Sequence, residues 1–217
     1  MEASGADGRL YLAKDVHAVV IDEDVVLLDA STDMYFCITD GARHLAFTPS
    51  GDVLARDPSA LDDLVEAGLL SPRSTVRPSL PPRPTRSMWP PRATASVGPR
   101  LLAALQATFR ARRGLADLSF LDLIGSGTPS TPIASVSDLS ADLAGFERLR
   151  PWLPIDGECL SRSYHLRLFL RARGHDPRWV FGVRVWPFMA HCWLQVGDMA
   201  LDDDLERLVA YHPIMAA

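Results

Sequence analysis

The stretch Ala190-His191-Cys192-Trp193-Leu194-Gln195-Val196 predicts a β-strand with a histidine near its start. Successive side chains of a strand alternate between its two faces, so His191, Trp193 and Gln195 share one face. Cys192 falls on the opposite face. The alternation therefore predicts that Cys192 is a core residue and points away from any site built around His191.

Cys159 lies at the start of a predicted helix that ends at Gly174. Unpaired N–H groups and the helix dipole favour an anion at such a position, which lowers the pKa of a thiol. The same N–H groups can stabilise the oxyanion of a tetrahedral intermediate. A thiol with His191 as its base suits acyl transfer. A free cysteine is also often a small core residue, so position alone leaves both interpretations open.

Three aspartates after the strand, Asp202, Asp203 and Asp204, are candidates to orient the histidine. A three-residue loop at 196–198 would place Asp203 opposite His191. A two-residue loop at 197–198 would bring Asp202 or Asp204 to that face instead. The residues themselves leave this choice open.

A metal site is not expected. His165 falls on the far side of the Cys159 helix, adjacent strand residues such as His191 and Cys192 point apart, and the chain has neither a CxxC nor an HExxH motif. It also has no P-loop, so no cofactor is predicted.

The bulk composition narrows the class of protein. The chain has 217 residues, with 47% hydrophobic, 23% charged and a net charge of −5, which predicts a folded domain without general affinity for nucleic acid. No run of about 18 apolar residues could span a membrane, and the N-terminus lacks the pattern of a secretion signal. Three cysteines are too few for a disulfide framework. We expect a cytoplasmic protein with free thiols.

A proline- and arginine-rich stretch at 71–99 predicts an extended linker between two domains. It lies within a segment, between Glu66 and Asp117, that contains no acidic residue. The stretch is either a solvated tether or a surface for an acidic partner.

Residues 1–70 predict a small domain like a winged helix-turn-helix. Three strands are expected at 16–21, 25–28 and 34–38, followed by helices from Thr39 or Asp40 to Phe47, after Pro49-Ser50, and from Ser59 to Glu66. This layout fits DNA-binding and peptide-binding modules equally well. The acidic last helix, at 60–66, argues against DNA.

Residues 100–217 predict helices followed by antiparallel strands, an α+β arrangement. Helices are expected at 100–113, 115–124, from Ser137 to 150, and from Cys159 to Gly174, with a loop at 125–132 and strands at 179–185, 191–196 and 199–203.

The motifs of this second half resemble the lasso peptide biosynthesis B proteins. They are Cys159-Leu160-Ser161-Arg162-Ser163, Gly182-Val183-Arg184 and the stretch from Pro187 to Val196. The resemblance implies a transglutaminase-like, papain-like cysteine protease domain that removes the leader from a lasso precursor. The family aspartate follows the histidine by twelve residues, which selects Asp203 beside Cys159 and His191. The chain departs from the family pattern at Cys192, where alanine is usual, and at Gln195, where glutamate is common.

Residues 11–70 are similar to the recognition element that binds leader peptides in such pathways. This resemblance implies that the leader adds as a strand beside Met34, Tyr35 and Phe36 and packs on the last helix at Leu61 and Leu64. The implied partners are the precursor peptide and an asparagine-synthetase-like lasso cyclase, to which any ATP dependence would belong.

Three other functions stay open from the sequence. The same Cys-His-Asp set could serve an acyltransferase or amidase with an amine as acceptor. The chain could also be a non-catalytic chaperone for the precursor, and a winged-helix DNA-binding protein is the remaining alternative.

Overall fold

The proline-rich stretch contains the boundary between two units of the chain. The computed structural model describes residues 9–48, 51–56, 59–91, 95–126, 135–155 and 157–217. One unit spans Met1–Ser79 and the other Leu80–Ala217. The boundary between residues 79 and 80 thus falls inside the 71–99 segment that the composition predicts as a linker.

Two small antiparallel sheets form the first unit, with strand orders β5-β6-β1-β7 and β2-β3-β4. The elements are β1 (Leu10–Leu12), β2 (Val16–Ile21), β3 (Asp24–Asp29), β4 (Met34–Ile38), β5 (Leu45–Phe47), β6 (Asp52–Ala55), α1 (Ser59–Glu66) and β7 (Leu70–Ser71). Apolar side chains of β3 are fully buried and pack with Leu64 of α1 and with Leu12 of β1 in one core. The predicted strands and the predicted helix at Ser59 are confirmed.

The two other helices predicted in this unit are wrong. Only Gly41–Arg43 forms a short 3₁₀ turn, and Asp40 before it has a left-handed backbone with φ of 56°. Leu45–Phe47 instead pairs with Val53 to Ala55, so strand pairing overrides the local helical pattern. Pro49 and Ser50 lie outside the described residues, and Asp52–Ala55 after them is a strand. With α1 as the one α-helix in the described part of the unit, the structure shows no helix-turn-helix there.

The beginning of the proline-rich stretch is tied to the first unit by Arg77. Its guanidinium donates to the carbonyl oxygens of Val16 at 2.5 Å, Leu12 at 2.8 Å and Ala13 at 2.6 Å. Three charge-assisted hydrogen bonds to backbone oxygens hold this part of the chain against the turn between β1 and β2.

Helices come first in the second unit and a five-stranded sheet follows, which confirms the predicted α+β class. The elements are β8 (Arg86–Ser87), α2 (Gly98–Asp117), α3 (Phe120–Gly125), α4 (Val136–Leu149), α5 (Cys159–Ala172), β9 (Arg178–Arg184), β10 (Met189–Val196), β11 (Met199–Ala200), α6 (Leu205–Leu208) and β12 (His212–Ala216). The sheet order is β12-β9-β10-β11-β8, antiparallel except for the parallel pair β11 and β8.

Two helix boundaries differ from the prediction. The predicted break between the helices at 100–113 and 115–124 is wrong, because α2 continues through Gly114. A Cβ at Gly114 would lie 2.6 Å from the hydroxyl oxygen of Tyr164 on α5, so glycine serves a close approach of two helices there. Helix α4 is capped by Ser135 rather than by Ser137, in a capping box with Asp138. Most of the loop predicted at 125–132 lies outside the described residues.

Helix α5 packs against one face of the sheet. Tyr164 stacks on Trp179 with ring centroids 5.6 Å apart, and Trp179 Nε1 donates to Ser163 Oγ at 2.9 Å. The opposite face carries Val180 and Trp193, which pack with Leu208, Tyr211 and other residues in a second apolar cluster. The start of α5 is thereby held beside β10.

Candidate active site

The start of α5 places the Cys159 thiol in a half-buried position. Glu158 is the residue before the helix, and Gly157 has a φ of 133°, which only glycine adopts readily. The N–H groups of the first helical turn have no acceptor within a helix, so this end of α5 favours negative charge. The expected location of Cys159 at a helix N-terminus is confirmed.

His191 and Asp203 form a close pair beside this thiol. His191 Nε2 lies 2.5 Å from Asp203 Oδ2, and the two residues are 6% and 8% exposed. Because Asp203 engages Nε2, Nδ1 is the ring nitrogen that can exchange a proton with Cys159. Thus the structure brings Cys159, His191 and Asp203 together, as the sequence resemblance implied.

Asp203 does not reach His191 through the three-residue loop that would align the two residues across the hairpin. Val196 pairs with Met199, so the hairpin turn contains two residues, Gly197 and Asp198, rather than three. In that register a continued strand would set Asp204 opposite His191. Strand β11 stops at Ala200, however, and the chain turns away from β10. Asp203 reaches His191 because of this departure from the ladder, not because of the loop length.

The edge of β10 explains how the thiol is held. Strand β11 pairs with β10 only at Gln195 and Val196, so among the described residues no strand covers this edge further towards His191. Asp202 Oδ1 accepts from the backbone N–H of Leu194 at 2.8 Å, and the Cys159 side chain accepts from the backbone N–H of Cys192. N–H groups two residues apart in a strand face the same edge. The thiol of Cys159 therefore occupies a position beside the strand edge.

The prediction that Cys192 points away from the site is wrong for the same reason. Cys192 is 4% exposed and packs on the α5 face, as alternation requires. Its side chain nevertheless lies close enough to Cys159 to lower the pKa of the Cys159 thiol. A group at the edge of a strand can contact neighbouring side chains from both faces, so His191 and Cys192 both reach it.

Electrostatic interactions favour a thiolate–imidazolium pair. Hydrogen bonds from the Cys192 side chain and from His191 outweigh burial and lower the pKa of Cys159 to about 4. Burial opposes the charged form of His191, but hydrogen bonds to Asp203 and Cys159 raise the pKa of His191 to about 9. Burial raises the pKa of Asp203, but the hydrogen bond with His191, together with the backbone N–H of Asp204 and the charges of His191 and Arg207, leaves the pKa of this carboxyl lowered. At neutral pH the nucleophile is therefore ionised.

The later part of the proline-rich stretch, at residues 82–87, contacts the β10–β11 hairpin and the backbone of Asp203. Ser87 Oγ donates to the carbonyl oxygen of Asp203 at 2.7 Å, and Arg86 forms an ion pair with Asp198 at 2.5 Å. Gln195, which is buried, donates to the carbonyl oxygens of Pro82 at 2.7 Å and Gly197 at 2.6 Å. A segment expected to be a tether thus fixes the hairpin and the backbone of Asp203.

Tyr211 is a further neighbour of the histidine that the sequence did not single out. Its ring centroid lies 5.1 Å from that of His191, and the Arg184 guanidinium carbon lies 5.7 Å from the Tyr211 ring centroid. No local motif marks this tyrosine, because it comes from the segment after α6 and meets His191 only through the sheet.

The predicted leader-binding residues lie in the first unit on an edge strand and on α1. Met34 and Phe36 are 52% and 37% exposed, and Tyr35 is half-buried. Leu61 is partly buried against the core. Leu64 is 7% exposed and belongs to that core, so it offers no surface to a peptide, and the prediction for this residue is corrected.

In the described part of the chain, no three or more His, Cys, Asp or Glu side chains form a group that could hold a metal ion. In the same residues, no helix is both long enough and apolar enough to cross a membrane.

The fold and the site together define an α+β protein with a thiol, an imidazole and a carboxylate at one strand edge. The sequence family model of the Transglutaminase-like superfamily matches residues 101–216. The chain therefore belongs to this superfamily. It is also similar to the Microcin J25-processing protein McjB of Escherichia coli, with 41% identity over 46 residues. That similarity covers 21% of this chain and 22% of McjB. No solved structure gives a significant match.

Proposed function

We propose that the chain is a cysteine peptidase that removes the leader from a lasso peptide precursor before a partner cyclase closes the core. The observation that carries this proposal is the contact of Cys159, His191 and Asp203 at the edge of β10. Membership of the Transglutaminase-like superfamily and the similarity to a microcin-processing protein support the same conclusion.

The reaction begins with attack of Cys159 Sγ on the carbonyl carbon of the peptide bond between leader and core. First-turn N–H groups of α5 stabilise the oxyanion of the tetrahedral intermediate. As the C–N bond breaks, the His191 imidazolium gives its proton to the leaving amine of the core. This leaves a thioester between the leader and Cys159.

Water completes the reaction. His191, now neutral, accepts a proton from a water molecule that attacks the thioester carbonyl, and Cys159 leaves as a thiolate. Asp203 holds the imidazole with Nε2 engaged and stabilises its charged form. The free amine of the core is then the substrate of an asparagine-synthetase-like cyclase, which would consume the ATP of the pathway.

Strand β4 of the first unit is the site proposed for leader capture. It is an edge strand of the β2-β3-β4 sheet, and Met34 and Phe36 expose apolar surface there. Phe36 pairs with Leu27, so its side chain lies on the face that continues into the core with α1. A leader strand that pairs with β4 would place its own apolar side chains on Phe36 and Leu61.

The experiment that tests the peptidase is cleavage of a lasso precursor peptide that carries its leader, followed by mass spectrometry. The full chain is expected to release leader and core, and Cys159→Ala is expected to release neither while it still binds the leader. Cys37→Ala removes an exposed thiol far along the sequence from the triad and serves as the matched control. Cleavage by Cys159→Ala would contradict the mechanism.

The same assay separates hydrolysis from acyl transfer. In ¹⁸O-labelled water, hydrolysis puts the heavy isotope into the new carboxylate of the leader. An acyltransferase would instead attach an added amine, such as glycine amide, to that carboxyl carbon. A chaperone would give no product at all, and its Cys159 would be slow to react with iodoacetamide at neutral pH.

A further inference from the structure

The β9–β10 hairpin leaves one side of His191 open. Met189 and Ala190, the first two residues of β10, are exposed, whereas the five residues that begin at His191 are buried. Trp193, two positions further along on the same face as His191, is only 1% exposed. Among the described residues, the accessible approach to His191 along β10 therefore lies at the end of the hairpin, next to the turn at 185–188.

A continuous surface leads from His191 to this end of the hairpin. Arg184 lies opposite Met189 in the β9–β10 ladder, and Met189 is on the same face of β10 as His191. The Arg184 guanidinium carbon lies 5.7 Å from the centroid of the Tyr211 ring, which in turn lies 5.1 Å from the centroid of the His191 ring. Arg184 therefore contacts the active site through the ring of Tyr211.

Arg184 has no oxygen acceptor among the described residues. One terminal nitrogen of its guanidinium donates to Met189 Sδ, which is a weak acceptor, and its Nε is buried without a hydrogen-bond partner. In the described ranges it pairs with no carboxylate either. A guanidinium that is half-buried loses hydrogen bonds to water, so the protein alone leaves this cation poorly satisfied.

Other arginines of the same unit with little exposure do have an oxygen acceptor. Arg100 pairs with Asp142 at 2.7 Å, and Arg167 donates to the carbonyl oxygen of Ile124 at 3.0 Å. Arg184 differs from both because its acceptor is a sulfur atom. Arginine and a carboxylate form strong, charge-assisted hydrogen bonds, so Arg184 would prefer a carboxylate of a ligand to that sulfur.

The direction of the reaction decides which part of the substrate meets Arg184. The acyl group stays on Cys159 at the start of α5, and His191 gives its proton to the leaving amine. The segment that follows the scissile bond therefore begins beside His191. From there the exposed route along β10 leads to the hairpin end, where Arg184 lies.

We propose that Arg184 is a substrate-binding residue, which pairs with a carboxylate in the segment that follows the scissile bond. Met189 Sδ takes the place of this carboxylate in the free protein. The inference rests on the proposed function, which makes that segment the core of the precursor. It adds a preference for an acidic side chain in the core.

The test combines one change in the protein with one change in the substrate and measures kcat/KM by mass spectrometry. Arg184→Met removes the cation and keeps an unbranched side chain over the Tyr211 ring. Arg112→Met, at an exposed position of α2, is the matched control. A precursor whose core contains aspartate or glutamate is compared with an amide precursor, in which asparagine or glutamine replaces each of these core residues.

We expect Arg184→Met to lower kcat/KM for the acidic precursor by about tenfold, since a hydrogen bond between charged groups is lost. The parent and Arg112→Met should lose a similar factor on the amide precursor. The losses from Arg184→Met and from the amide precursor should not add, because each change removes the same pair. Alkylation of Cys159 by iodoacetamide should keep its parental rate, which separates a binding role from a disturbance of His191.

Two results would overturn the proposal. One is an unchanged kcat/KM of the parent on the amide precursor, a measurement that does not depend on how well Arg184→Met folds. The other is full addition of the two losses.

Failure of the peptidase proposal gives a different result, because the parent then cleaves neither precursor. In that case the affinities of Cys159→Ala for the two labelled precursors, measured by fluorescence anisotropy, decide the role of Arg184. A preference for the acidic precursor that is lost in Cys159→Ala with Arg184→Met supports the pairing. Equal affinities for the two precursors contradict it.

Discussion

Each unit of this protein exposes the edge of a strand, and the two edges are used differently. At β10, side chains of the chain itself accept from the edge N–H groups: Cys159 from Cys192 and Asp202 from Leu194. At β4, the described residues include a pairing strand only on the β3 side, and Met34 and Phe36 lie exposed. The comparison indicates that a filled edge can hold a reactive group in place, whereas an uncovered edge can accept a second peptide.

Substitution of Asp203 should have the largest effect on the active site at the β10 edge. Asp203→Asn keeps the shape but loses the charge that holds His191, so kcat/KM for precursor cleavage should fall by about 10³-fold. Leader affinity should not change. Asp204→Asn, at the exposed neighbouring position, is the matched control and should retain activity. Equal losses in the two variants would contradict the role of Asp203.

The pH dependence of kcat/KM tests the ionisation of the Cys159 and His191 pair at the β10 edge. The pKa of Cys159 is lowered to about 4, so the thiolate exists above that pH, and the pKa of His191 is raised to about 9, so the imidazolium exists below it. We expect kcat/KM to be flat between these limits and to fall about tenfold per pH unit outside them. Asp203→Asn should move the upper limb towards lower pH, because a hydrogen bond that raises the pKa of His191 is lost. An upper limb that stays in place in this variant would argue against that cause.

Substitution of Phe36 tests whether the leader binds at the β4 edge. Phe36→Ala removes exposed apolar surface and should weaken leader binding by about tenfold, measured by fluorescence anisotropy with a labelled leader peptide. Val20→Ala, on the strand at the other edge of the same sheet, removes similarly exposed surface and should leave the affinity unchanged. Alkylation of Cys159 should be unaffected in both variants. If the two variants lose affinity equally, the leader does not bind at β4.

The smallest effect is expected at Ser87, which supports the β10 edge indirectly. Ser87→Ala removes the hydrogen bond to the Asp203 carbonyl oxygen, which is worth about 1 kcal/mol, so kcat should fall a few-fold. Ser74→Ala, in the exposed first part of the proline-rich stretch, should have no effect on kcat. A kcat for Ser87→Ala equal to that of the parent would show that this segment does not support the site.

Local signals predicted the elements of the site well. Apolar alternation indicated β10, and the helix at Cys159 is where the sequence placed it. The helix predicted after Asp40 does not form because Leu45–Phe47 pairs with the next strand, Asp52–Ala55, instead of continuing a helix. Short segments of ambiguous propensity are decided by their partners, which a local pattern does not contain.

The sequence by itself determined the residue types of the site and their setting: a thiol at a helix start, a histidine on a strand and an acidic turn after it. The tertiary structure decided how they meet. Strand β11 ends early, so Asp203 leaves the ladder to reach His191, and Cys159 sits at the edge of β10 beyond the end of β11, where Cys192 is also a neighbour. Side-chain alternation describes the faces of a strand, but contacts at its edge depend on where the neighbouring strand stops.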